Sequence, residues 1–151
     1  MDKIIFFLAA VLLLTCNTGY AKSFNAPQLE LIADAKRQGE QVILTITGRT
    51  AQSFHLYSVV PQGEFGPKPT RLILKPSDLH RFGELSESKP KLMFDQALGE
   101  SYLIHQGDFW VSQTFDKKAS TEVIQGYLFY QLCDNLICLT PIKQPFEARI
   151  R

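Results

Sequence analysis

From residue 29 to the C-terminus, short apolar, β-branched runs alternate with polar turns, and helical spacing of apolar residues is scarce. Residues 41–47, Gln-Val-Ile-Leu-Thr-Ile-Thr, are apolar and β-branched on both faces, as expected of a buried sandwich strand. They follow a turn at Arg37-Gln38-Gly39-Glu40 and a strand over 29–35. Further strands are predicted over 53–60, 71–75, 102–105, 109–115, 123–132 and 142–150, with Gln106-Gly107-Asp108 as a tight turn between two of them. Residues 78–81 read as one helical turn. Pro61, Pro67 and Pro69 remove ladder donors, so 61–70 is predicted to be a stiff loop. Eight short strands with regularly spaced turns predict an all-β antiparallel sandwich. Neither a repeat nor a linker divides it, so one domain is expected over 22–151.

The first twenty-one residues have a different pattern. Lys3 precedes an unbroken apolar run over 4–14, and Gly19-Tyr20-Ala21 ends in small residues. The run is about eleven residues long, against roughly 20 for a spanning helix. It is predicted to be a cleaved secretory signal peptide, which exports the remainder as a soluble protein to a compartment where disulfides persist. Lipidation at Cys16 is less favoured, because Thr15 stands where processing prefers a small residue. No later segment is long and apolar enough to span a membrane.

Removing that segment leaves fifteen basic and fourteen acidic residues, with no basic run longer than two. A balance this even gives no support to nucleic acid or an anionic membrane as partner, and neither is expected. About 130 residues is enough for an ordinary core, so the fold does not depend on a disulfide.

Cys133 and Cys138 are then the only cysteines left. They flank Asp134-Asn135-Leu136-Ile137 in the connection of a predicted hairpin, which can hold two Cα atoms within disulfide reach. A clip closing so short a loop adds about 2 kcal/mol by the chain-entropy model. Spacing and compartment therefore leave two readings open, a structural clip and an exchanging redox pair.

Five motifs occur in order: Phe54-His55-Leu56-Tyr57-Ser58, Gly66-Pro67-Lys68-Pro69-Thr70, Phe94-Asp95-Gln96-Ala97-Leu98-Gly99, Tyr130-Gln131 before Cys133, and Cys138-Leu139-Thr140-Pro141. Together they resemble the N-terminal periplasmic domain of DsbD, a transmembrane thiol–disulfide reductase, over about 29–146. The resemblance implies an immunoglobulin-like sandwich acting as a thiol–disulfide oxidoreductase without a cofactor. It implies that Cys138 forms the mixed disulfide with partners and that Cys133 resolves it. The implied partners are thioredoxin-fold proteins, including cytochrome c maturation factors, with a membrane thiol reductase as electron donor. The family's cap loop over the disulfide corresponds to Asp95-Gln96-Ala97-Leu98. Here Gln96 and Ala97 replace an acid and an aromatic, which leaves Leu98 as the candidate shield. Tyr57 and Tyr130 are supporting candidates at the same end of the sandwich.

Other chemistry finds little support. His55, His80 and His105 lack paired ligand spacing, so no metal is expected. No nucleophile elbow, phosphate-cradling loop or metalloprotease motif is present. The competing function is a non-enzymatic envelope binding module whose disulfide only clips a hairpin. A monomer with transient partners is expected on either reading.

Overall fold

The computed structural model describes residues 22–63, 66–96, 99–117 and 121–151. The expected signal peptide, Cys16 and the cap residues Ala97 and Leu98 lie outside the described residues.

Twelve strands are described: β1 Lys22–Ala26, β2 Leu29–Gln38, β3 Gln41–Thr50, β4 His55–Tyr57, β5 Arg71–Leu74, β6 Leu79–Glu87, β7 Lys91–Asp95, β8 Glu100–His105, β9 Asp108–Lys117, β10 Val123–Tyr130, β11 Leu132–Cys133 and β12 Ile142–Arg149. They form sheets ordered β1-β2-β3-β9-β6, β12-β10-β5 and β11-β4-β8-β7, and every ladder is antiparallel. No helix occurs among the described residues. The chain has the all-β, immunoglobulin-like antiparallel architecture that the hydrophobic pattern and the family motifs predicted.

Period-two alternation builds the main core. β2 turns Leu29, Leu31, Ala33 and Ala35 inward, and β3 does the same with Val42, Leu44 and Ile46. Gly39, at φ +60°, joins these strands through a two-residue turn that favours glycine. Phe109, Val111 and Phe115 of β9 pack in the same cluster with Ile124, Leu128, Tyr130 and Phe146. Fully burying side chains of this size contributes about 1.5–3 kcal/mol each.

The small sheet β11-β4-β8-β7 divides its side chains between two environments. Leu56 and Leu132 are paired across β4 and β11 and join the main core. Tyr57 and Cys133, one position further along their strands, form a second cluster with Tyr102 and Ile104.

Glu87 ties this sheet to β6. Its carboxylate accepts from Ser58 Oγ at 2.5 Å, Val59 N at 3.0 Å and His105 Nε2 at 2.8 Å. Burial pushes the Glu87 carboxyl up, but the bonds from His105, Ser58 and Val59 outweigh it and hold it below the usual range.

The structure corrects several local expectations. The helical turn over 78–81 is instead the start of β6, whose Leu79, His80 and Arg81 pair with β9. The strand over 53–60 contracts to β4, and that over 123–132 divides into β10 and β11. At the division Gln131 donates to Leu139 O at 3.1 Å and accepts from Lys68 N at 3.3 Å. The change of sheet therefore takes place beside the proline loop. β1, β6 and β7 were not anticipated.

Candidate functional site

β11 is only two residues long, yet it fixes the site. It lies antiparallel to β4 with Leu132 opposite Leu56 and Cys133 opposite His55. Directly opposed residues project to the same side of a sheet, so Cys133 and His55 share the face that carries Tyr57. Cys133 is joined to Cys138 by a disulfide whose Cα atoms stand 4.0 Å apart.

The four residues between the cysteines form a pinned turn. Asp134 Oδ1 accepts from Leu136 N at 2.7 Å and Ile137 N at 2.8 Å, while Asp134 N donates to Ile137 O at 2.9 Å. Leu139 N closes the base by donating to Leu132 O at 2.8 Å. The amides of Ile137 and Leu136 hold the Asp134 carboxyl below the ordinary carboxylate range.

The two cysteines differ sharply in access. Cys133 is completely buried, whereas Cys138 lies on the exposed side of the turn. Leu136 and Ile137 stand beside Cys138 with 84% and 58% of their surfaces exposed.

Tyr57 connects the disulfide to a carboxylate. Its hydroxyl lies 3.2 Å from Asp95 Oδ2 and 3.9 Å from Cys138 Sγ. Burial, reinforced by the nearby Asp95 charge, pushes the Tyr57 phenol well above its usual value. It therefore remains a proton donor across the physiological range. Tyr102 meets Tyr57 edge-on at 5.9 Å and donates to Glu100 Oε2 at 3.1 Å. His55 meets the same ring edge-on at 5.4 Å. Burial lowers the His55 imidazole below its ordinary value, and the Asp95 and Asp134 charges only partly oppose this. Its buried Nε2 has no hydrogen-bond partner, which ordinarily costs about 1–3 kcal/mol.

Of the residues singled out from sequence, Cys133, Cys138, Tyr57 and Asp95 meet at this site. Gln96 is exposed and, with Phe94, Asp95 and Asp134, lines an adjoining pocket of about 180 Å³. Leu98 lies outside the described residues. Tyr130 is buried in the main core, and its hydroxyl has no partner. Sequence reasoning missed His55, the pinning role of Asp134 and the edge-on Tyr102. Among the described residues, no cluster of three or more histidines, cysteines and carboxylates is placed to hold a metal ion.

The disulfide thus joins one buried and one exposed cysteine. The family model for the N-terminal domain of the thiol:disulfide interchange protein DsbD matches residues 23–149. Among solved structures, the reduced DsbD N-terminal domain of Neisseria meningitidis is 20% identical, with a TM-score of 0.53, covering 79% of this chain and 84% of that one. The N-terminal periplasmic domain of ScsB from Proteus mirabilis is 16% identical, with a TM-score of 0.60, covering 83% of this chain and 50% of that one. The complex between the DsbD N-terminal and PilB N-terminal domains of Neisseria meningitidis gives 18% identity and a TM-score of 0.52, covering 78% of this chain and 80% of that one. No curated protein matches the chain significantly. The buried–exposed cysteine pair fits thiol–disulfide interchange, and the match over nearly the whole described sequence carries the assignment: this chain belongs to the family of the N-terminal domain of the thiol:disulfide interchange protein DsbD.

Proposed function

We propose that this protein is a periplasmic electron-transfer module that passes two electrons between a membrane thiol reductase and thioredoxin-fold acceptors. The observation that carries this reading is the unequal exposure of the pair, with Cys138 accessible and Cys133 buried. In the reduced protein the Cys138 thiolate attacks an acceptor disulfide. A Cys138–acceptor disulfide forms and the acceptor's other sulfur leaves as a thiolate. Cys133 then attacks Cys138 Sγ, re-forming the internal disulfide and releasing the acceptor as a dithiol. Reduction by the donor is the reverse sequence. Tyr57, kept protonated, redirects its hydroxyl proton from Asp95 to the Cys138 thiolate once that sulfur is reduced, while Asp95, Gln96 and Leu98 cap the disulfide. Residues 1–21 act as the export signal, and residues 22–151 work as a single domain.

The clip reading draws less support. The turn is already closed by the four hydrogen bonds around Asp134 and Leu139, so the disulfide has little left to constrain. The direct test mixes the reduced protein with an oxidised thioredoxin-fold protein and follows both by mass after alkylation. Electron transfer leaves the acceptor alkylated and the Cys133–Cys138 pair protected. An acceptor that stays oxidised while the protein stays reduced sinks the proposal.

Partner docking yields a further prediction. A mixed disulfide at Cys138 brings the partner's Cα within about 4.4–6.8 Å, so the partner must cover the two neighbouring aliphatic side chains. Asp134 holds their backbone in place beforehand, which lowers the ordering cost of docking. Replacing both Leu136 and Ile137 by Asp is expected to slow exchange with a thioredoxin-fold protein about tenfold or more. Exchange with dithiothreitol, which is too small to cover them, should change less than about twofold. Equal slowing of both reactions would remove the pair from the docking surface.

A further inference from the structure

The interchange reading gives Cys133 a difficult task. It must become a thiolate while fully buried, where a charged sulfur is disfavoured. A proton acceptor beside it would remove that obstacle. Two independent features of β4 supply one. His55 lies directly across the ladder from Cys133, which places the two Cβ atoms about 4.5–5.5 Å apart on one face. His55 Nε2 is also buried and has no hydrogen-bond partner. In the tautomer protonated on Nδ1, that nitrogen is an acceptor with nothing to accept. The oxidised protein offers no S–H, because both sulfurs are in the disulfide. Reduction creates one at Cys133, across the ladder from His55.

We propose that His55 is the proton acceptor for the resolving thiol Cys133, a role resting on the interchange reading above. When a mixed disulfide occupies Cys138, Cys133 Sγ–H transfers its proton to His55 Nε2. The Cys133 thiolate attacks Cys138 Sγ, so the Cys133–Cys138 bond forms and the Cys138–partner bond breaks. The electron pair leaves on the partner's sulfur, which takes up a proton, and the imidazolium returns its own proton to solvent. During reduction the imidazolium protonates Cys133 as that sulfur leaves. The groups facing His55 suit this cycle: Asp95 at the end of β7 and Asp134 after β11 are acidic and favour the transient cation. Tyr57 on β4 contacts the ring edge-on, and Tyr102 on β8 lies behind Tyr57. Burial keeps the resting imidazole neutral and hence ready to accept.

The test uses the reduced, full-length exported protein with dithiobis(nitrobenzoate) as the probe disulfide. The first nitrobenzoate thiolate released reports attack by Cys138, and the second reports resolution by Cys133. In wild type, the second step should slow as pH falls and the imidazole protonates. In both His55→Phe and His55→Gln, it should be slower by about tenfold or more at neutral pH. It should then rise with pH only as an unassisted buried thiol ionises. The first step should stay within about twofold of wild type, which also shows that each variant is folded. A His55→Gln or His55→Phe protein that resolves at the wild-type rate with the wild-type pH profile overturns the proposal. A wild type that releases one thiolate and never the second overturns the interchange reading, and this proposal with it.

Discussion

Cys138→Ala is expected to abolish electron transfer, while Cys133→Ala is expected to accumulate a covalent complex with the acceptor. The asymmetry follows from access. Cys133 is completely buried, so it does not meet a partner's disulfide directly. Cys138 lies on an exposed turn with its sulfur 3.9 Å from a phenol that remains protonated. Removing Cys138 eliminates the attacking sulfur. Removing Cys133 leaves attack intact but eliminates resolution, so the mixed disulfide persists. Non-reducing gels of each variant mixed with an oxidised thioredoxin-fold protein separate the outcomes. A shifted, reductant-sensitive band should form with Cys133→Ala and not with Cys138→Ala. The opposite pattern would assign the roles the other way round.

Glu87→Ala should cost about 3–5 kcal/mol of stability, a large share of the roughly 5–15 kcal/mol that holds a domain folded. The carboxylate is one-tenth exposed, beside a His105 side chain at 3%, and three donors from two further segments converge on it. Alanine leaves Ser58 Oγ, Val59 N and His105 Nε2 without their acceptor in a buried position. Glu87→Gln keeps an acceptor oxygen and should cost less. Since the folded state holds the Glu87 carboxyl below its ordinary 4.5, the unfolded chain binds more protons in that range. Its contribution is therefore complete above about 4.5 and is lost as pH falls further, and Glu87→Gln should remove that acid limb. His55 acts in a higher window. Its imidazole is depressed below 6.5, so stability should begin to fall once pH drops under that value, and His55→Gln should flatten the decline. Urea melts across pH measure both effects. Glu87→Ala melting like wild type at neutral pH would contradict the energetic role given to this junction.

The sequence carried the fold where burial is periodic. β2, β3, β9, β10 and β12 bury alternate residues against one core, and their apolar, β-branched runs predicted them, although residues 41–47, expected to be buried on both faces, fully bury only Val42, Leu44 and Ile46 on one. β6 and β7 escaped because most of their side chains are exposed, which erases the period-two signal. In β6 the run Leu79-His80-Arg81 imitates a helical turn, and a register shift between Phe82 and Ser86 breaks the pattern further. β1 escaped because Lys22-Ser-Phe-Asn-Ala26 contains a single large apolar residue. The separation of β10 from β11 depends on long-range pairing with β4, which local propensity does not encode.

The site was legible to the extent that its chemistry is local or carried by ordered motifs. Cys133 and Cys138 are near neighbours in the chain, and Tyr57 and Asp95 lie inside motifs of the resemblance. His55 was passed over because its spacing from other histidines was weighed only for metal binding. Its significance arises from register, since only the β4–β11 ladder places it opposite Cys133. The signal for Leu136 and Ile137 was visible, two aliphatic residues between the cysteines of a short polar turn, but their exposure required the structure. Tyr130, beside the cysteines in sequence, turns into the main core.

The central claim, that the Cys133–Cys138 disulfide exchanges electrons, is tested most directly by its reduction potential. Equilibration in glutathione or dithiothreitol buffers followed by mass-resolved alkylation gives the value. Interchange predicts a potential well above about −300 mV, within roughly −270 to −180 mV, where exchange proteins operate. A potential below about −300 mV would contradict the account and identify the disulfide as a structural clip.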